Sequence, residues 1–423
     1  MFEWSDTDEL VRESVRTFID REIRPRLDDL EHGDLPPYEI MSKLFAEFGL
    51  DVMAGEAIDA MLAKEQRRAD RIAAGEPAPE KKDKKSSGER GNPLAAQASM
   101  AAVLFSELAG VTLGSVAAVG VSLGLGGATI LSRGTLAQKQ RWLKDIVTLK
   151  KVAAWAITEP DSGSDAFGGM KTYVRRDGDD YILNGQKTFT TNGPYADTVV
   201  VYAKLDEADG ADKRDRKVLT FVLDKGMEGF TQSAPFKKMG MHSSPTGQLF
   251  FDNVRLSRDR LLGETEDHRG GDGRESAKAS FTIERVGCAI LALGIINECH
   301  RLSVDYAKTR TLWGQEIGRF QLIQLKLAEM EIARLNVQNM IFQALSAFEV
   351  GKMPSLAEAS AMKLYSTRAA TDVAMEAVQL FGGNGYMAEY RVEQLARDAK
   401  SLMIYAGSNE IQVTHVAKAL LAG

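Results

Sequence analysis

Apolar residues recur near the start of the chain at the spacing of one helix face: Leu10, Val11, Val15, Phe18, Ile19 and Ile23. A second such run follows Pro36-Pro37, from Ile40 to Phe48. The same period returns from Leu94 through Leu108, from Val116 to Leu131 and from Gln138 to Ile146, so residues 1–150 read as a helical domain. Between Ala63 and Pro93 the chain is Lys, Arg, Glu, Pro, Gly and Ser with almost nothing to bury. That composition predicts a mobile, solvated insertion at about 63–93; its alternative, a docking tail for an acidic partner, is the weaker reading of a mixed-sign run.

After Lys151 the apolar period falls to two. Tyr181-Ile-Leu, Asn184-Gly185 and Gln186-Lys-Thr-Phe-Thr-Thr predict a hairpin turning at Asn-Gly, and further strands are expected at Thr198 to Lys204, Val218 to Leu223 and Gln248 to Leu256. Residues 151–270 are therefore expected to form a small β-barrel or sandwich. From Ser276 the helical period returns, most clearly in Phe320, Ile323, Leu327, Met330, Ala333, Val337, Ile341, Ala344 and Phe348, so residues 271–423 predict a helical bundle. This order, without alternating βα units or a Gly-x-Gly-x-x-Gly, argues against a doubly wound dinucleotide fold.

Composition narrows the function. The 423 residues carry a net charge of −6 with interleaved signs, which disfavours a nucleic-acid surface or a polybasic membrane patch. The longest apolar run, Val111 to Leu131, is crowded with glycine between Gly120 and Gly127, a pattern suited to close helix packing rather than to a membrane span. The acidic N-terminus lacks the order of a signal peptide, so a cytoplasmic location is the default expectation. Cys288 and Cys299 read as buried thiols, and the five histidines show no paired metal spacing.

Three segments carry chemistry. Trp155-Ala-Ile-Thr-Glu-Pro-Asp-Ser-Gly-Ser-Asp165 starts like a strand and breaks at Pro160 into a loop rich in hydroxyls and carboxylates. Thr188-Phe-Thr-Thr-Asn-Gly-Pro194 places an aromatic and hydroxyls at a strand end. The third comprises Gln379-Leu-Phe-Gly-Gly-Asn-Gly-Tyr386, Arg397-Asp-Ala-Lys and Ile404-Tyr-Ala-Gly-Ser-Asn-Glu-Ile-Gln412. In order and spacing they resemble the acyl-CoA dehydrogenase family, from about Lys151 to the C-terminus.

The resemblance implies an N-terminal helical domain, a middle β-domain and a C-terminal four-helix bundle, assembled as a homodimer or homotetramer with FAD at a subunit interface. It implies that Trp155, Ile157 and Thr158 line the flavin, with Phe189, where the family more often has Trp, and Thr191 beside it. Ser164 would be shared between FAD phosphate and the substrate's pantetheine arm. Arg310 resembles the arginine that reaches the FAD pyrophosphate of a neighbouring subunit. Trp313, where the family usually has Phe, Gln321, Gln379, Gly383, Ser408 and Glu410 complete the cofactor set, and Phe281, Arg285, Tyr405 and Gly407 join Ser164 on the substrate side.

The base is the sharpest implication. Most members place a glutamate directly after the tyrosine of Ile-Tyr-x-Gly, where this chain has Ala406. A minority, including isovaleryl-CoA and long-chain enzymes, carry it on an earlier helix before an arginine, and Glu284-Arg285 matches that pair. Ile283, Val286, Ile290 and Leu293 form an apolar surround in which desolvation would raise the carboxyl pKa. Glu410 is the rival carboxylate. The implied reaction is α,β-dehydrogenation of an acyl-CoA, with an electron-transfer flavoprotein as acceptor. A flavin oxidase of the same fold, a decarboxylating dehydrogenase and a DNA-associated scaffold are the alternatives. The long segment from Leu50 to Pro93 departs from the family's short loop there.

Overall fold

A computed structural model of the chain describes residues 3–32, 35–75, 93–207, 212, 214–268 and 271–422. The helical opening comprises α1 (Asp6–Phe18), α2 (Leu27–Glu31), α3 (Tyr38–Glu47), α4 (Leu50–Ala73), α5 (Pro93–Gly120), α6 (Ala128–Arg133) and α7 (Leu136–Val147). Ser5 caps α1 and Thr135 caps α7, each in a reciprocal capping box.

Helix α4 corrects the expectation of a mobile run from residue 63. Residues 63–73 continue the helix, because Lys, Glu, Gln and Arg are strong helix formers whatever their polarity. Gln66 donates to Asp70 one turn on, Lys139 grips Glu65 at 2.9 Å, and Ile58 and Leu62 pack with Trp142, Leu143 and Ile146 of α7. The remainder of the charged run, 76–92, lies outside the described residues.

The middle region carries β1 (Ala153–Ala156), β2 (Tyr173–Asp177), β3 (Asp180–Thr191), β4 (Thr198–Leu205), β5 (Val218–Asp224), β6 (Phe230–Gln232) and β7 (Thr246–Leu256). They form one curled sheet in the order β1-β4-β2-β3-β7-β6, with β5 paired to β4; β4 runs parallel to β1 and β2, and the other pairs are antiparallel. Asn184-Gly185 is not the hairpin turn. The turn is Gly178-Asp179, with Gly178 at φ +62°, and β3 runs straight through Asn184-Gly185 with a bulge against β7. Gly185 is required there: its φ is +136°, and a Cβ would stand 2.6 Å from the Thr172 hydroxyl. Asn-Gly signals a bulge as readily as a turn when alternation continues on both sides.

The remaining elements are α8 (Gly273–Thr309), a short β8–β9 hairpin (Thr311–Leu312, Gln315–Glu316), α9 (Gln321–Glu349), α10 (Leu356–Phe381), α11 (Val392–Leu402) and α12 (Asn409–Leu421). Helices α8, α9, α10 and α11 share one core with α1 and α5. Two stretches, Gln97–Arg133 and Gly273–Thr309, are long and apolar enough to cross a membrane, yet 72% and 53% of their apolar windows are buried inside the protein. They are core helices, as the glycines require: a Cβ on Gly126 would stand 2.8 Å from the Ala153 Cβ, and one on Gly294 would stand 2.2 Å from the Ser106 carbonyl of α5. Gly294→Ala is therefore expected to destabilise the fold by about 1–3 kcal/mol through overpacking at the α5–α8 crossing, read as a lower melting temperature with unchanged secondary structure.

Candidate active site

Glu284 lies in the second half-dozen residues of α8's N-terminal part, one residue before Arg285. The arginine points into the bundle, 2% exposed, and donates to the Ser360 hydroxyl of α10 at 2.9 Å; its guanidinium lies 5.8 Å from the Phe281 ring. Glu284 is partly exposed and accepts no hydrogen bond among the described residues. Protein packed around the carboxyl pushes its pKa from the ordinary 4.5 up to about 7, while Lys363 and Arg285 pull the other way. Val286 and Leu293 are buried as expected, whereas Ile283 is 62% exposed and belongs to another face of the helix. Cys288, one turn past Glu284, and Cys299 are free, buried thiols.

Lys363 on α10 faces this group. It is fully buried, and its ammonium donates to the carbonyls of Tyr405 (2.7 Å) and Gly407. Those carbonyls belong to the turn between α11 and α12, where Ala406 has φ +56° and Gly407 φ +81°. Buried Gln412 holds the same turn from below, donating to the Ala406 (3.2 Å) and Gly407 (2.7 Å) carbonyls. Tyr405 lies with its hydroxyl buried, and burial drives its pKa well above the usual phenol range. Glu410 is solvent-facing, and hydrogen bonds from its own backbone N–H and from Ser408 hold its carboxyl below the ordinary range, the opposite of what a base near neutral pH needs.

The β-domain meets α8 at Trp155, whose indole packs edge-on against Phe281 (6.3 Å) and donates to the Tyr202 hydroxyl (3.2 Å). Past β1 the chain turns at Ile157, Thr158 and Glu159. A wholly buried lysine, Lys187, holds this turn: its ammonium donates to Glu159 (2.8 Å) and to the Ile157 carbonyl (3.1 Å). Glu159 also accepts the Lys171 and Thr172 N–H groups. Burial pushes the Glu159 pKa up, but the Lys187 charge and these hydrogen bonds outweigh it and hold the carboxyl ionised; burial pulls Lys187 down. Beside this turn, β3 bulges between Lys187 and Thr190, and Phe189, at φ +53°, is thrown outward to 67% exposure. A strained bulge that exposes an aromatic is a feature expected at a binding surface. Thr191 is half-buried, and Ser164 is exposed on the loop after Pro160.

Arg310, Trp313, Gln321, Gln379 and Gly383 are gathered elsewhere. Arg310 ends α8, about 39 Å along the helix from Glu284 at 1.5 Å per residue. It is exposed beside the hairpin whose tip is Trp313, 86% exposed and edge-on to Phe320. The Gly382–Tyr386 turn joins this end of α8, because Phe381 stacks on Tyr306 (4.0 Å) and Asn384 donates to the Tyr306 hydroxyl (2.9 Å). The chain therefore presents two separated clusters.

Lys363, Gln412 and the Lys187–Glu159 pair escaped the sequence reading. A signal existed for both lysines: Lys363 shares its helix face with Ala359, Met362, Ser366 and Ala370, and Lys187 continues the inward alternation of Tyr181 and Leu183. A charge on an otherwise apolar face marks a group that is buried with a partner.

Helical, β and helical regions in this order, with the partly open Glu284 carboxyl on α8, make up the frame of the candidate site. Residues 154–254 match the family model of the acyl-CoA dehydrogenase middle domain, and residues 271–421 that of its C-terminal domain. A short-chain specific acyl-CoA dehydrogenase of Megasphaera elsdenii is 36% identical over 74% of this chain and 80% of its own length. The CarC subunit of a caffeyl-CoA reductase–Etf complex from Acetobacterium woodii is 30% identical over 99% of both chains. The butyryl-CoA dehydrogenase structure from Megasphaera elsdenii superposes with a TM-score of 0.80 at 29% identity, covering 100% of both chains. The chain belongs to the acyl-CoA dehydrogenase family.

Proposed function

We propose that this enzyme catalyses FAD-dependent α,β-dehydrogenation of an acyl-CoA thioester to the trans-2-enoyl-CoA, with Glu284 as the base that takes the α-proton. The observation that carries the reading is the Glu284 carboxyl itself: partly open, without a hydrogen-bond partner among the described residues, and raised to about 7, while the position after Tyr405 holds an alanine. Phe281 and Arg285 lie on the same helix beside it, and Tyr405 and Gly407 are proposed to complete the substrate side.

The residues fit FAD. Exposed Phe189 stands on the bulge tied to the Thr158 turn by the Thr188 N–H to Thr158 carbonyl bond, and would offer an apolar face to an aromatic ring system together with Trp155, Ile157, Thr158 and Thr191. Exposed Arg310 offers a fork suited to a pyrophosphate, with Trp313 and Gln321 on and just after the adjoining hairpin, and Gln379 and Gly383 flanking Phe381, which stacks on Tyr306 at the same end of α8. Ser164 would meet phosphate and pantetheine, and Ser408 and Glu410 would complete the cofactor side. Since Arg310 stands about 39 Å from Glu284 along α8, it serves a different FAD from the one beside its own Glu284, which requires a homo-oligomer. Leu322, Leu325 and Ile332, all more than half exposed on α9, provide apolar surface for a second copy. Bound FAD supplies the acceptor for the β-hydrogen as hydride, and an electron-transfer flavoprotein is the proposed onward acceptor. The pKa near 7 also lets Glu284 return a proton, so the same site can run enoyl-CoA reduction, the direction named for the Acetobacterium woodii relative.

The test is a visible spectrum of the purified protein followed by anaerobic addition of butyryl-, isovaleryl- and palmitoyl-CoA. Yellow protein bleached by one acyl class is the expected result and names that class. A protein that cannot be loaded with FAD overturns the reading, and rapid reoxidation by air would make it an oxidase.

A further inference from the structure

Tyr405, Ala406 and Gly407 form a turn whose three consecutive carbonyls are all claimed from one side. Lys363 takes those of Tyr405 and Gly407, and Gln412 takes those of Ala406 and Gly407. Both side chains are fully buried, so neither contact is a surface accident. Among the described residues no peptide bond is cis, and in a trans peptide the N–H points opposite to the C=O. Holding the Tyr405 carbonyl on Lys363 therefore aims the Ala406 N–H away from the core. Among the described residues no acceptor takes the N–H of Ala406 or Gly407, and the turn's outer side is open: Ala406 is half-buried and Gly407 exposed.

A charged donor on a carbonyl also polarises its peptide, which makes the N–H on the far side a stronger donor. A buried ammonium is costly to keep, and here two of its bonds go to this one turn. Of the two left-handed residues Gly407 sits there freely, but Ala406 at φ +56° lacks a glycine's freedom and is costly to hold there without that grip. The turn is thus held in an unfavourable conformation that directs two free N–H groups outward beside Glu284.

We propose that Lys363, supported by Gln412, is the positioning residue that aims the Ala406 N–H at the thioester oxygen, where negative charge develops as Glu284 takes the α-proton. This rests on the dehydrogenase reading above and adds to it the group that holds the oxyanion donor in place.

The test uses flavin-loaded Lys363→Met and Gln412→Met beside the unaltered enzyme. With the flavin chemically reduced, hydride transfer is blocked, and deuterium uptake at Cα of an acyl-CoA in D2O reports proton abstraction alone. The probe is whichever of butyryl-, isovaleryl- or palmitoyl-CoA bleaches the oxidised enzyme. Lys363→Met is expected to slow exchange on the order of 100-fold, and Gln412→Met by a smaller factor. The same proteins are titrated with that acyl-CoA and with the matching S-alkyl-CoA thioether, which lacks the carbonyl oxygen. The thioester's binding advantage over the thioether should shrink about tenfold in Lys363→Met, with thioether affinity unchanged. Equal weakening of both ligands, or exchange at the unaltered rate, overturns the proposal. If Lys363→Met does not fold, unaltered exchange in folded Gln412→Met overturns it. An unaltered enzyme that neither binds nor exchanges any of the three acyl-CoAs overturns the dehydrogenase reading itself, a result distinct from failure of the variants alone.

Discussion

Glu284→Gln leaves the protein folded and yellow, and lowers the rate at which acyl-CoA bleaches the flavin by about 10³-fold or more, the loss expected when a positioned base is removed. The unaltered enzyme should show a bleaching rate that rises with pH through about 7, because only the ionised carboxyl accepts a proton. Burial sets this raised value, and Lys363 on α10 and Arg285 beside the carboxyl lower it in part. Stability moves the other way. A carboxyl whose folded pKa is raised from 4.5 to about 7 contributes stability at pH below 4.5 that is lost as pH rises through 7. Glu284→Gln removes that loss, so the variant should be more stable than the unaltered protein at pH 8, by roughly 1–2 kcal/mol once the carboxyl's solvent contact is discounted. Ala406→Glu on that background adds no new backbone strain, since Ala406 already occupies the left-handed region, and should restore part of the bleaching. Denaturation at pH 5 and pH 8, with stopped-flow bleaching across the same range, checks both signs. Bleaching that survives Glu284→Gln would move the base to another carboxylate.

Lys187→Met should have the largest structural effect. Lys187 and Glu159 have side chains 0% and 3% exposed, and removing one partner strands the other charge in the interior, at a cost of about 3–5 kcal/mol. It also releases the Ile157 carbonyl, so the turn through Ile157 and Thr158 loses the tie that holds it beside Trp155 and the Phe189 bulge. Lower melting temperature and loss of bound FAD on gel filtration are the expected results. The double variant Lys187→Met, Glu159→Gln should recover much of the stability, because no charge is left unpaired, while FAD affinity stays low because Ile157 is still untied. Recovery of both together would mean the pair serves stability alone.

Periodicity placed most helices and strands, since which face of an element is apolar is a local property. The spacing of Phe320 to Phe348 predicted α9, and Thr198 to Lys204 predicted β4. The errors came where one local signal has two tertiary outcomes. Asn184-Gly185 serves as a turn or a bulge depending on whether the strand is paired beyond it, and β7 pairs across it. The polar residues after Ala63 are either a loop or a helix, depending on whether Ile58 and Leu62 find α7. Residue order likewise singled out Glu284-Arg285 as the candidate pair and showed the alanine at position 406.

What the chain determined by itself is which groups are available: a carboxyl before an arginine on an apolar helix, an alanine in the final turn, and an aromatic in a Thr-rich strand end. What tertiary structure alone decided is their state. Packing around Glu284 raises its pKa, the crossing of α8 and α10 brings Lys363 to the 405–407 carbonyls, and the bulge in β3 turns Phe189 outward. Desolvation, through-space charge and backbone register depend on neighbours distant in sequence, so they appear only when the chain is folded.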